Sequence, residues 1–167
     1  CIERLTRRLG DGDVVVTDAG SAFYAGSQGV HINPGVRYIT SGGFATMGFS
    51  LPAAIGVSVA KDNGPVMCIT GDGSFMMNIQ ELQSVMHNKL PIKIFVLNNN
   101  GYLSIRATQN KFFEGRLIGE GPTSGVTFPD FGKVADSYGM KYLRAQTNEQ
   151  LEDLLDEALA FDGPVLC

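Results

Sequence analysis

The chain has 167 residues, 44% of them apolar and 18% charged, with 17 acidic against 13 basic side chains. That size and apolar content suit one globular domain over residues 1–167, and the acidic balance lacks the positive field on which nucleic-acid binding depends. No run approaches the roughly 18 apolar residues of a membrane span, and no charged segment followed by an apolar one marks a secretory leader, so neither nucleic acid nor membrane is expected as a partner and the expected location is cytoplasmic.

In chain order, Arg4, Arg7 and Arg8 read as the solvated face of an amphipathic helix. Six β-rich runs follow with helical patterns between them: Asp13 to Thr17, Val36 to Thr40, Pro65 to Thr70, Ile92 to Asn98, Met140 to Ala145 and Pro164 to Cys167. Alternation of this kind predicts an α/β fold, a doubly wound and mainly parallel sheet of about six strands with helices on both faces. VMCIT and IKIFVLN are nearly continuous in apolar residues, as central strands covered on both faces should be. Between them Phe75, Ile79, Leu82 and Met86 fall at helical spacing, predicting a helix from Ser74 to His87 with Ser74 as N-cap. Thr147 and Gln150 stand at capping-box spacing before Leu151, Leu154, Leu155 and Ala158, and Gly163-Pro164 ends that helix. The glycine-rich run from Glu114 to Gly125 reads as a surface loop, and its Gly115 to Gly125 stretch as a candidate lid.

The three cysteines, Cys1, Cys68 and Cys167, form no CxxC pair, and Cys68 inside an apolar run reads as packing. A start at Cys1 rather than methionine, and a strand opening just before Cys167, lead us to expect a fragment of a longer subunit.

The chemistry concentrates after the two central strands. Gly71-Asp72-Gly73-Ser74 follows VMCIT, and Asn98-Asn99-Asn100-Gly101 follows IKIFVLN. Adjacent parallel strands would bring both turns to one carboxyl edge. There glycines admit a close backbone approach, helix N–H groups favour phosphate, and an Asp carboxylate with an Asn carbonyl suits magnesium. Each piece alone has a plain alternative: Gly-Asp-Gly makes ordinary turns, Met47 fills core gaps, and Asn98 and Asn100 end a strand and start a helix. A bare nucleotide would satisfy the same logic, so a nucleotide-binding regulatory module stays an alternative, although neither GxGxxG after the first strand nor GxxxxGK[ST] occurs. His31 and His87 have no partner at metal-ligand spacing.

GDGSFMMNIQEL followed by LPIKIFVLNNNGY resembles the signature of thiamine-diphosphate enzymes, with Asn99 standing 27 residues beyond Asp72. The upstream SGGFATMGFSLPAAIG, Ser41 to Gly56, resembles the ring-holding segment of acetolactate synthases and related 2-keto acid decarboxylases. The resemblance implies a thiamine-diphosphate-binding fold in which Asp72, Asn99 and the Gly101 carbonyl hold Mg2+. It implies that Gly71, Gly73, Ser74 and Tyr102 surround the diphosphate and that Gly20 and Ser21 cap it. It places Gly43, Ala45 and Met47 at the rings, Met47 as the apolar wedge that bends the cofactor and Ala45 through its carbonyl, these two being the catalytic contribution of the chain. The family often has glycine where Ala45 stands, and the Gln-His pair of acetolactate synthases is missing after Gly20.

For the whole enzyme the resemblance implies decarboxylation of a 2-keto acid, pyruvate foremost, with transfer of the acyl unit to a carbonyl acceptor; the alternative is a decarboxylase that does not ligate. RATQNKFF from Arg106 stands where acetohydroxyacid synthases carry an aromatic near Thr108, which leaves room for a specialised acceptor such as an activated sugar. The activating glutamate of the family lies in a pyrimidine-binding domain, of the same or a partner subunit, that this chain does not contain. The intact enzyme is therefore expected to be a homodimer or tetramer, and the fragment alone inactive. FAD stays open for the full-length enzyme but is not expected in this domain.

Overall fold

The computed structural model describes residues 1–167. The elements run α1 (Ile2–Thr6), β1 (Val14–Thr17), α2 (Ser21–Gly29), β2 (Arg37–Thr40), α3 (Ser50–Ala60), β3 (Val66–Gly71) and α4 (Asp72–Met77). They continue with α5 (Leu82–His87), β4 (Ile92–Leu97), α6 (Leu103–Phe112), α7 (Phe131–Ser137), β5 (Lys141–Tyr142), α8 (Leu151–Ala160) and β6 (Val165–Leu166). All six strands are parallel, in the order β2-β1-β3-β4-β6-β5. The α/β, doubly wound sheet expected from the sequence is the one observed, with VMCIT and IKIFVLN paired at its centre from Val66↔Ile92 to Gly71↔Leu97.

The period-2 alternation of strands divides the core in two. Val14, Val16, Val66, Cys68, Ile92 and Ile94 face one side and pack with Leu51, Phe75, Leu82 and Phe131 from α3, α4, α5 and α7. Val15, Met67, Ile69 and Phe95 face the other, against Leu5 of α1, Ala22 of α2 and Leu151, Leu154 and Leu155 of α8. The chain leaves β1 through α2 on the second face and β3 through α4 on the first, and β2 and β3 flank β1 on opposite sides. Strand order therefore reverses between β1 and β3, the place where open α/β sheets bind ligands.

The helix expected from Ser74 to His87 is interrupted. It begins at Asp72, with Gly71 as N-cap and Ser74 already inside the first turn, and gives way at Asn78 to a 3-10 turn, Ile79–Glu81, before α5. Asn78 takes φ −136° and ψ 30°, and its side chain donates to the Gly48 carbonyl at 2.7 Å. A short amide side chain with an outside acceptor competes with the helical backbone, and here it prevails. The apolar stripe survives the break, because Phe75 and Leu82 are buried and Ile79 and Met86 pack beside them. Of the capping box before α8, the Gln150 half forms, its Oε1 accepting from Gln146 and Thr147 N–H. No helix is long and apolar enough to cross a membrane.

Candidate functional site

Parallel register puts the ends of β3 and β4 side by side, and a buried carboxylate then joins the turns that follow them. Asp72 is 2% exposed. Its Oδ1 accepts the Gly73 N–H at 2.8 Å, while Oδ2 accepts the Asn99 N–H at 3.1 Å and the Gly101 N–H at 3.0 Å. One aspartate thus fixes the second turn onto the first. An ionised carboxylate has about four acceptor positions, so three are taken and Oδ1 keeps one.

Asn99 points its Nδ2 toward Ser21 Oγ at 3.4 Å, which brings the start of α2 into the same site. Its Oδ1 is buried and has no hydrogen-bond partner. Buried polar atoms are nearly always paired, and each exception calls for a reason.

Two glycines are fixed by sterics. Gly101 takes φ +149°, and a Cβ there would lie 2.2 Å from the Glu120 carbonyl oxygen. At Gly73 a Cβ would lie 2.2 Å from Cε1 of Tyr102, whose ring rests on that backbone and meets Phe128 edge-on at 5.9 Å. Ala45 adopts φ 51°, a left-handed conformation that costs an L-residue roughly 1–2 kcal/mol and glycine nothing.

A cleft of about 220 Å³ gathers Gly20, Ser21, Ala45, Met47, Gly71, Asp72, Gly73, Ser74, Asn99, Gly101 and Tyr102, joined by Ala19, Tyr24, Leu103, Ser104 and Ile105. Of the residues expected from the sequence to hold the cofactor or metal, Gly43 alone lies outside the lining, on the exposed loop before Ala45. His31 and His87 are also elsewhere, and no three His, Cys, Asp or Glu side chains gather as a metal cluster anywhere in the chain.

Three residues that sequence reasoning passed over shape this site. Asp18, at the end of β1, is 1% exposed and binds the loop that carries Met47. Asn78 grips the same loop from the helix break. Glu120 is 2% exposed, pairs with Arg106 and offers its carbonyl to Tyr102 N–H at 2.7 Å. The run expected as a surface loop and lid is therefore anchored at Glu120, against Gly101. A short aspartate after a strand and an asparagine inside an apolar stripe carry no local mark of such long-range bonds; a carboxylate in a glycine run was the one visible signal for Glu120.

An open parallel sheet whose switch point carries a glycine turn, a buried aspartate and a second turn locked onto it defines a diphosphate-binding α/β domain. Residues 18–167 match the family described as thiamine pyrophosphate enzyme, C-terminal TPP binding domain, and the chain belongs to that family. It is 40% identical over 166 residues to the acetolactate synthase isozyme 2 large subunit of Escherichia coli (strain K12), covering 99% of this chain and 30% of the relative. It is 37% identical over 150 residues to the acetolactate synthase large subunit of Cyanidium caldarium, 90% of this chain and 25% of the other. With the probable acetolactate synthase large subunit of Methanococcus aeolicus the identity is 40% over 132 residues, 77% of this chain and 21% of the other. The chain thus spans less than a third of the length of these relatives.

Proposed function

We propose that this chain is the diphosphate- and magnesium-binding part of an acetolactate-synthase-like enzyme that decarboxylates a 2-keto acid, pyruvate foremost, and passes the acyl unit to a carbonyl acceptor. The observation that carries the metal assignment is the buried, unpaired Asn99 Oδ1 beside an Asp72 carboxylate with one acceptor position free. Magnesium is a hard cation that takes few protein oxygens and completes its shell with phosphate and water. An Asp oxygen, an Asn oxygen and the Gly101 carbonyl fit that habit.

The hydroxyls of Ser21 and Ser74 and the open face of Gly71, where a Cβ would meet nothing within 4 Å, suit a diphosphate between the two turns. Met47, 37% exposed at the cleft, is the support beneath the cofactor, and Ala45 presents its carbonyl there. Thiamine diphosphate, when bound, supplies the electron sink that lets a 2-keto acid lose carbon dioxide. The residues of this chain anchor, orient and shield it. At about 220 Å³ the cleft is smaller than the roughly 300–1,000 Å³ of complete small-molecule sites, which supports a second wall from a pyrimidine-binding domain of the same or a partner subunit. A cytoplasmic homodimer or tetramer fits this reading.

Calorimetric titration of thiamine diphosphate with Mg2+ into the full-length enzyme tests it. Wild type is expected to bind in a metal-dependent way, and Asp72→Ala to lose that binding. Pyruvate turnover giving acetolactate with carbon dioxide supports ligation, an aldehyde indicates simple decarboxylation, and absence of binding by wild type overturns the proposal.

A further inference from the structure

Met47 and Ala45 sit on a loop between β2 and α3 that has no regular structure of its own, and residues 42–47 of it are exposed. Gly48, directly after Met47, is buried. Two side chains from distant segments converge on it. From the end of β1, Asp18 Oδ1 accepts the Gly48 N–H at 2.9 Å, and Oδ2 accepts the Ser50 N–H at 2.8 Å and the Ser50 hydroxyl at 2.6 Å. From the other side Asn78 Nδ2 donates to the Gly48 carbonyl at 2.7 Å. Gly48 itself takes φ +80°, and a Cβ there would lie 2.7 Å from Cβ of Met77 and 2.8 Å from Asn78 Nδ2.

Neither residue serves its own element in doing this. Asn78 interrupts a helix whose apolar stripe continues beyond it. Asp18 is a buried carboxylate, costly unless fully hydrogen-bonded. Its charge is met by N–H and O–H donors and by the amino end of α3, whose N-cap Phe49 offers no side-chain acceptor. The same carboxylate also accepts the Ala19 N–H at 2.8 Å, immediately before Gly20 and Ser21. One group therefore bonds two of the segments that border the cleft.

We propose that Asp18 and Asn78 are positioning residues, a two-sided clamp on the Gly48 peptide that fixes Met47 and the Ala45 carbonyl against the cofactor. This rests on the reading of Met47 as the cofactor's support. The clamp acts on cofactor shape, so its loss changes activation of the bound cofactor more than its affinity, which the diphosphate and metal contacts around Asp72 maintain.

The test uses the full-length enzyme with thiamine diphosphate and Mg2+, and compares wild type with Asn78→Asp, Asp18→Asn and Met47→Ala. Asn78→Asp keeps the shape and replaces the donor by an acceptor, and it decides the matter alone if Asp18→Asn does not fold. Three quantities are read: exchange of the cofactor's C2 proton for deuterium by quenched NMR, cofactor affinity by calorimetry, and melting temperature. Misplacement near a reacting centre costs roughly 10- to 100-fold, so both clamp variants are expected to slow C2 exchange by about that factor, as Met47→Ala does, with near-wild-type affinity. Wild-type exchange in the clamp variants alongside slowed exchange in Met47→Ala overturns the clamp. Wild-type exchange in Met47→Ala as well overturns the reading of Met47 and the clamp with it.

Discussion

Cys68 lies in β3 directly behind the clamp, fully buried, and burial pushes its thiol up to about 12, a Ser50 contact opposing and the Asp18 carboxylate adding to the rise. In the unfolded chain a cysteine ionises near 8.5. Between that value and about 12 the unfolded state holds fewer protons than the folded one, so stability falls as pH rises through this window. Removing the thiol removes that slope. Cys68→Ala is expected to be less stable than wild type near pH 7.5, because it leaves a cavity, and the gap should narrow by about 2 kcal/mol at pH 10. Urea unfolding at the two pH values checks this; a constant gap would mean that the thiol ionises in place. At this scale Asp72 and Asn99 were legible because each stands in a polar turn directly after one of the two continuous apolar runs, although the bonds of Asp72 span 27 and 29 residues. Asp18 was not, since nothing in the sequence marks Gly48 and Ser50, 30 and 32 residues away, as its partners.

Element by element, the strands of the centre were readable to within a residue, because β3 and β4 are buried on both faces and need continuous apolar side chains. The outer strands proved shorter than read, β5 reduced to Lys141–Tyr142 at the sheet edge, where one neighbour rather than two limits the ladder. The helix break at Asn78 was hidden for a different reason: the stripe of Phe75, Ile79 and Leu82 is common to a continuous helix and to a broken one. A shorter element, α7, went unread although Asp130 caps it, accepting from Gly132 N–H at 2.8 Å and Lys133 N–H at 3.2 Å. Phe131, the first residue of the capped helix, meets Phe75 of α4 edge-on, 5.5 Å between ring centres. Asp130→Ala is expected to lower stability by about 1 kcal/mol, and Asp130→Asn to restore most of it. Chemical denaturation of the three proteins measures the difference, and equal midpoints would show that α7 is held by packing alone.

Across the whole molecule, the cleft opens onto a surface that is apolar where a finished surface would be polar. Tyr24 is 58% exposed, Leu103 46% and Ile105 42%, all three lining the cleft, and Phe44, 94% exposed, stands beside Ala45 on the Met47 loop. Clustered exposed apolar side chains mark interaction surfaces. They border a cleft of about 220 Å³, smaller than the roughly 300–1,000 Å³ of complete small-molecule sites, on a chain spanning 30% of the Escherichia coli relative. The two cores pack on the two faces of the sheet, away from the cleft, while the site is open on the side those residues border. The isolated 167-residue chain is accordingly expected to fold and to turn over no pyruvate, and to bind thiamine diphosphate with Mg2+ at least about tenfold more weakly than the full-length protein, a loss of about 1.4 kcal/mol or more. Calorimetry and a carbon dioxide assay on both forms decide it. Equal affinity would mean that Asp72, Asn99 and the two serines hold the cofactor by themselves, leaving the exposed face to another purpose, and turnover by the short form would place the whole reaction within these residues.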